Sequence, residues 1–187
     1  MEGNKKKEVK PFANMARKIF FDWIVPIVIA LVIAISINKF LIFKVEIPSI
    51  SMVPTLNVDD QLFASRVYNV NNLKRGDIVI FNFIPKDELF IKRLIGLPGD
   101  TVEIKSGKVW INGEELQEDY VKNPENTDCV YNVPEGKFFF LGDNRARSDD
   151  ARKWQADGYG ITYIDAADIK GKALFKVYPF SDFGTIK

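Results

Sequence analysis

Two serines, Ser49 and Ser51, stand two residues apart in Ile47-Pro48-Ser49-Ile50-Ser51-Met52-Val53-Pro54-Thr55-Leu56, between two prolines that stiffen the segment. Such a segment can hold one hydroxyl for attack on a carbonyl while the other, with nearby backbone N–H groups, meets the oxyanion. Serine and proline clusters are also ordinary turns, so the segment alone does not decide. A nucleophilic serine further needs a base. The chain has no histidine, which excludes a Ser-His-Asp triad and a Cys-His pair. Lysine can take that place if burial lowers its pKa from about 10.4 towards about 7 to 8.

One apolar stretch carries such a lysine: Leu89-Phe90-Ile91-Lys92-Arg93-Leu94-Ile95-Gly96-Leu97-Pro98-Gly99-Asp100. Strand alternation puts Phe90, Lys92 and Leu94 on one face and Ile91, Arg93 and Ile95 on the other, without saying which face is buried. Arginine does not deprotonate in proteins, so chemistry selects Lys92 if either acts. The competing reading is an edge strand from which both cations snorkel to water. A third region, Phe138-Phe139-Phe140-Leu141-Gly142-Asp143-Asn144-Arg145-Ala146-Arg147-Ser148-Asp149-Asp150-Ala151-Arg152, runs from an apolar strand into a dense polar loop. Its Asp, Asn, Arg and Ser side chains can build a hydrogen-bonded network around a site, or form only a solvated turn.

Composition removes other chemistries. A single cysteine, Cys129, rules out an intramolecular disulfide, and without histidine a structural zinc site lacks its usual ligands. Cys129 lies in a mostly polar stretch beside Asp128 with no basic neighbour, which reads as an ordinary free thiol. No metal and no cofactor are expected. Residues 45–187 carry 18 basic and 22 acidic side chains, which argues against a nucleic-acid surface.

The elements that must position these residues fall into two parts. Ile19 to Phe43 are 25 residues whose only charges are Asp22 and Lys39. A helix of that length, at ~1.5 Å per residue, passes a ~30 Å hydrocarbon core. Trp23 and Phe40 lie near its ends, and Lys5, Lys6, Lys7, Lys10, Arg17 and Lys18 precede it, so the positive-inside bias places the N-terminus in the cytoplasm. A cleavable signal peptide with Ala34-Ile35-Ser36 as its cleavage site, or a buried core helix, are the alternatives. Pro26 implies a kink or a turn near the start of the helix. The divisions are therefore a basic tail at 1–18, a transmembrane helix at 19–43 and an outer domain at 44–187.

That outer domain reads as mainly β, with candidate strands Phe43–Ile47, Gln61–Val67, Asp77–Phe83, Leu89–Ile95, Thr101–Lys105, Lys108–Ile111, Lys137–Leu141 and Lys172–Val177. Ser106-Gly107, Asn112-Gly113 and Leu97-Pro98-Gly99-Asp100 are turn signals. Residues 114–135 are polar and irregular, and are expected to be a surface excursion inside one domain.

Taken in order behind a single span, these regions resemble the type I signal peptidase family over nearly the whole chain. The resemblance rests on the anchor, Ser51-Met52-Val53-Pro54-Thr55, Arg75-Gly76-Asp77-Ile78-Val79, the Lys92-Arg93 strand ending in Gly96-Leu97-Pro98-Gly99-Asp100, and Gly142-Asp143-Asn144-Arg145. It implies a β-sheet or barrel-like extracytoplasmic protease domain on a single-pass anchor. The activity implied is removal of N-terminal signal peptides from secretory preproteins with small residues at −1 and −3, next to the lipid bilayer. By the same resemblance Ser51 is the nucleophile, Lys92 the general base and Ser49 an oxyanion donor beside the Ser51 N–H. Ser148 is the serine that hydrogen-bonds and orients the lysine, Asp150 and Arg152 are a supporting ion pair, and Arg93 and Asp77 are structural. Two positions depart from the family pattern. Ile50 stands where glycine is frequent, and Arg145-Ala146-Arg147-Ser148 replaces Arg-Asp-Asn-Ser. Altered tuning or substrate preference is the expected consequence, since neither touches the dyad. A self-cleaving Ser-Lys repressor-type protein, which would not need the anchor, and a catalytically silent anchored binding protein are the rival readings.

Overall fold

The computed structural model describes residues 9–186, and the chain divides into two compact units between Ile42 and Phe43. Lys5, Lys6 and Lys7 of the expected basic tail lie outside the described residues.

The first unit is one helical rod, with α1 (Val9–Ile19) and α2 (Val25–Phe40) joined by a π-helical turn over Phe20–Ile24. Helix therefore runs without a break through the expected tail-to-span boundary at residues 18 and 19. Pro26 accounts for the irregular turn, because it has no N–H for the carbonyl four residues back. The Val25 N–H instead bonds the Phe20 carbonyl, five residues back, so the ladder shifts register rather than breaking. Asn14–Phe40 has a mean hydropathy of 2.5 and no part of it is buried within the protein. A helix that is apolar all round and unburied is long and apolar enough to span a membrane.

Twelve strands build the second unit among the described residues. β1 (Ile42–Glu46), β2 (Gln61–Arg66), β3 (Ile78–Phe83) and β4 (Glu88–Gly96) come first, and β5 (Thr101–Lys105), β6 (Lys108–Ile111), β7 (Glu114–Glu115) and β8 (Cys129–Asn132) follow. The last are β9 (Lys137–Leu141), β10 (Ile164–Asp165), β11 (Ile169–Tyr178) and β12 (Gly184–Thr185). The larger sheet has the order β1-β2-β11-β3-β4-β9-β10, with β12 added on β11, and the smaller the order β7-β6-β5-β8. The mainly-β expectation holds, and the eight candidate strands are all present, three of them with the bounds expected.

Residues 114–135 differ from expectation: they contain β7 and β8 and are not wholly irregular. β8 pairs with β5 in the register Val102↔Tyr131, yet Cys129, Val130 and Asn132 are exposed. An edge strand held by backbone hydrogen bonds has no apolar alternation to betray it.

Both faces of the central strands are covered. Val79, Phe81, Phe83, Leu94, Phe140 and Trp154 belong to one core, together with Val102, Ile104, Val109 and Ile111 of the smaller sheet. Ile78, Ile80, Ile91 and Ala173 join Ile47, Met52, Leu56 and Leu62 in the other. This answers the question that alternation left open along β4. The β3–β4 register sets Val79 opposite Lys92 and Ile78 opposite Arg93, so each cation enters a different buried layer.

Candidate active site

Ser51 sits in a single 3-10 turn, Ile50–Met52, entered from Ser49 in extended conformation. Met52, Leu56 and Ile47 are fully buried around it, so the turn is pinned by apolar side chains on both flanks. Lys92 reaches the same point from the middle of β4. Its Nζ donates to Ser51 Oγ at 2.8 Å and to the Ile91 carbonyl at 3.2 Å. Ser49 Oγ lies 3.2 Å from Ser51 Oγ. Lys92 is only 4% exposed and Ser51 5%.

Burial dominates the ionisation of Lys92. Desolvation penalises the ammonium and brings its pKa down to about 8, and the Lys86 cation pushes in the same direction. The carboxylates of Asp150, Asp149 and Asp143 oppose the shift without cancelling it. The face of the Phe90 ring, 5.1 Å from Nζ, supplies part of the apolar surround.

The loop after β9 wraps the serine turn. Its approach is close at Gly142, where a Cβ would run into Ser148 Oγ and would lie 2.5 Å from the Ser51 carbonyl oxygen. Asp150, fully buried, accepts from the Gly142 N–H at 3.0 Å and binds Arg152 through two hydrogen bonds of 2.8 and 2.9 Å. Arg152 also reaches Glu125 at 2.9 Å and the Arg145 carbonyl at 2.5 Å. Its pKa is raised above the ordinary arginine value because the Asp150 hydrogen bonds and charge outweigh burial. Arg93 makes the matching fork to Asp143, at 2.8 and 2.7 Å, and its Cζ lies over the Tyr120 ring, 3.7 Å from the centroid. Thr55 Oγ1 donates to Asp143 at 2.5 Å, which ties the chain just past Ser51 to the same pair.

Of the six expected site residues, Ser49, Ser51 and Lys92 meet directly, and Asp150 with Arg152 stands behind them. Ser148 is near but differs from the expectation. It is buried beside Gly142, and among the described residues its Oγ makes no hydrogen bond, to Lys92 or to any other group. Lys92 spends its contacts on Ser51 and its own strand instead. Asp77, expected to be structural, pairs with Lys172 at 2.7 Å away from the dyad.

Several participants escaped the sequence reading. Asn144 donates from its backbone to the Ser51 carbonyl and from Nδ2 to the Ile50 carbonyl, both at 3.0 Å. Its place in the Gly-Asp-Asn-Arg run was the available signal. Lys86 and Asp149 form a 2.8 Å ion pair beside the lysine, and 63 residues of separation leave no pattern to find.

A cavity of about 260 Å³ opens on the dyad, lined by Pro48, Ser49, Ile50, Leu89, Phe90 and Arg147 among others. Next to it lies a more apolar one of about 330 Å³, between Phe43, Val45 and Pro48 on one side and Ile80, Leu89 and Ile91 on the other. A larger depression of about 420 Å³ near Tyr163 contains none of the reactive groups.

Residues 20–178 match the family described as signal peptidase, peptidase S26. The chain belongs to that family. A signal peptidase I of Bacillus licheniformis is 38% identical over 174 residues, covering 87% of this chain and 90% of the relative. Signal peptidase I T of Bacillus subtilis is 34% identical over 199 residues and covers both chains in full. A crystal structure of a signal peptidase I from Enterococcus faecalis is 37% identical, with a TM-score of 0.45 over 54% of this chain and 96% of that one. The protein is thus a protease of the signal peptidase I kind, and its apolar N-terminal helix fits a single-pass membrane protein.

Proposed function

We propose that this protein removes N-terminal signal peptides from secretory preproteins through an acyl-enzyme formed on Ser51, with Lys92 as general base. The observation that carries the proposal is the 2.8 Å contact between Lys92 Nζ and Ser51 Oγ, made by a lysine whose burial brings its pKa to about 8. Neutral Lys92 takes the hydroxyl proton as Ser51 Oγ attacks the carbonyl at the end of the signal sequence. The tetrahedral oxyanion is met by the Ser51 N–H and the Ser49 hydroxyl. Lys92 then protonates the departing amine of the mature chain, and in the second half activates the water that frees the signal peptide. While Lys92 is an ammonium it has a third hydrogen to place. Ser148, whose Oγ has no other partner among the described residues, is assigned to receive it after a small shift of either side chain. Asp150 and Arg152 hold the loop that brings Ser148 there.

The two neighbouring cavities suit small side chains at −1 and −3 of an extended substrate. β1, at the end of the larger sheet, offers the edge against which such a substrate could pair. The basic residues before the span assign 1–18 to the cytoplasm, 19–43 to the bilayer and 44–187 to the outer side, where preproteins emerge. The deciding experiment incubates the detergent-solubilised protein with a preprotein and compares it with Ser51→Ala. The wild type should release the mature chain and Ser51→Ala should not. Undiminished cleavage by folded Ser51→Ala would remove the serine from the chemistry.

A further inference from the structure

We propose that Asn123 and Asn144 form a positioning relay that aims the Ser51 N–H at the oxyanion. The inference rests on the reading of Ser51 as nucleophile and goes beyond it by naming what orients the backbone half of the oxyanion hole.

A peptide unit is planar and trans, so the Ile50 carbonyl and the Ser51 N–H belong to one rigid plate and point in opposite directions. Whatever holds the carbonyl therefore aims the N–H. Asn144 Nδ2 donates to the Ile50 oxygen at 3.0 Å, and the Asn144 backbone N–H donates to the Ser51 oxygen at 3.0 Å, so both plates flanking the Ser51 Cα are fixed by one residue. The Val53 N–H, at 3.2 Å, gives the Ile50 oxygen a second, local donor. Ser51's own N–H donates to no acceptor among the described residues, and so stays free for a substrate oxygen.

The Asn144 amide has two ways round, and only one presents a donor to Ile50. Asn123 selects it: its Nδ2 donates to Asn144 Oδ1 at 2.8 Å, which forces the Asn144 NH2 group towards the serine turn. Asn123 occupies a left-handed backbone conformation, φ +48°, that asparagine tolerates better than most side chains. Its segment is strapped to the loop by Lys122 N–H to Asp143 O at 2.8 Å, Arg145 N–H to Lys122 O at 2.9 Å and Ala146 N–H to Asn123 O at 2.9 Å. The buried Arg145–Glu118 pair, 2.5 Å, closes the strap at its start. A donor fixed in advance costs no reorganisation when charge develops, and that is how oxyanion stabilisation gains its strength.

The test uses near-isosteric changes. Asn144→Asp sets an acceptor against the Ile50 oxygen, and Asn123→Asp removes the donor that selects the Asn144 rotamer. Four quantities are measured: kcat and KM on a peptide spanning a cleavage site, the Kd of the matching peptide aldehyde, which adds to Ser51 as a tetrahedral mimic, and the Kd of an uncleaved peptide. Loss of one direct oxyanion donor costs about 10² to 10³ in turnover, and misaiming it should cost roughly ten- to a hundredfold. Asn144→Asp should lose that factor in kcat and equally in aldehyde affinity, with KM and uncleaved-peptide affinity unchanged. Asn123→Asp should lose less in the same pattern, and the double variant should be no worse than Asn144→Asp alone. Asn144→Ala removes the donor without adding charge. It serves if the aspartate variant does not fold, and its pH profile should keep the wild-type midpoint. Wild-type kcat in folded Asn144→Ala, or a loss shared equally by the uncleaved peptide, would overturn the relay. Either result would leave the Ser51 reading intact so long as Ser51→Ala stays inactive.

Discussion

Lys92 must be neutral to accept a proton, so the pH dependence of cleavage is fixed by its burial. A free lysine at 10.5 would be neutral in only about 0.03% of molecules at pH 7. With a pKa of about 8, roughly one molecule in ten is competent at pH 7, half at pH 8 and nine in ten at pH 9. Cleavage at limiting substrate should therefore rise close to tenfold per unit at first and flatten above pH 8, gaining roughly tenfold between pH 7 and pH 9. Two neighbours give the perturbation its sign. Lys86→Gln removes a cation that disfavours the ammonium, so the midpoint should move up. Asp149→Asn removes a carboxylate that favours it, so the midpoint should move down. Stability follows from the same shift. Between about pH 8 and 10.5 the unfolded chain holds a proton on Lys92 that the folded chain has released, so this residue's contribution to stability rises with pH across that window. At about 1.36 kcal/mol per unit the penalty relieved is about 3 kcal/mol, and Lys92→Met should recover part of it below pH 8. The assay is kcat/KM from pH 6 to 10.5 on a peptide spanning a cleavage site, with Lys92→Arg as the charged control that cannot act as a base. A midpoint near 10.5, near-normal cleavage by folded Lys92→Arg, or shifts of the wrong sign in the two neighbour variants would refute the reasoning.

Ser49→Ala should lower kcat by about 10² to 10³ with an unchanged circular dichroism spectrum, as expected for an oxyanion donor; normal turnover would leave Ser49 a structural role only. Asp143→Asn leaves Arg93 buried without its charge partner, and denaturant unfolding should show a loss of about 3 to 5 kcal/mol. A loss below about 1 kcal/mol would mean that the pair is dispensable to the fold. Protease added to intact spheroplasts or protoplasts should digest residues 45–187, and protection of that domain would reverse the proposed orientation.

How much of this was legible in the sequence depends on how local each cause is. The strands could be read because period-two alternation and turn residues are local signals, which β5 and β6 both carry, while β9 shows as a short continuous apolar run ending at Gly142. Lys92 could be preferred to Arg93 on chemistry alone, since only one of them can give up a proton. Which layer each enters could not be read, because β4 is apolar on both sides and alternation has no contrast to report. The answer lies in its neighbours, with Val79 opposite Lys92 and Ile78 opposite Arg93. Ser148 shows the opposite limit. Its burial beside Gly142 follows from a loop that closes on the serine turn, but whether its hydroxyl meets Lys92 depends on where a flexible four-carbon side chain settles.

The polar stretch after β7 carries the largest gap between pattern and structure. Its residues look like solvated loop because their partners are not apolar side chains. Glu118 and Glu125 meet the buried guanidinium groups of Arg145 and Arg152, and Lys122 and Asn123 pair with backbone of the 142–147 loop. A charge inside a protein needs a counter-charge within reach, and these two arginines receive one each from a segment with no apolar periodicity. Hydrophobic patterning is therefore blind where a site is held by ion pairs and backbone hydrogen bonds. In this chain that is the segment that backs the 142–152 loop, so the residues that hold this loop against the serine turn from behind were the ones the sequence could not single out.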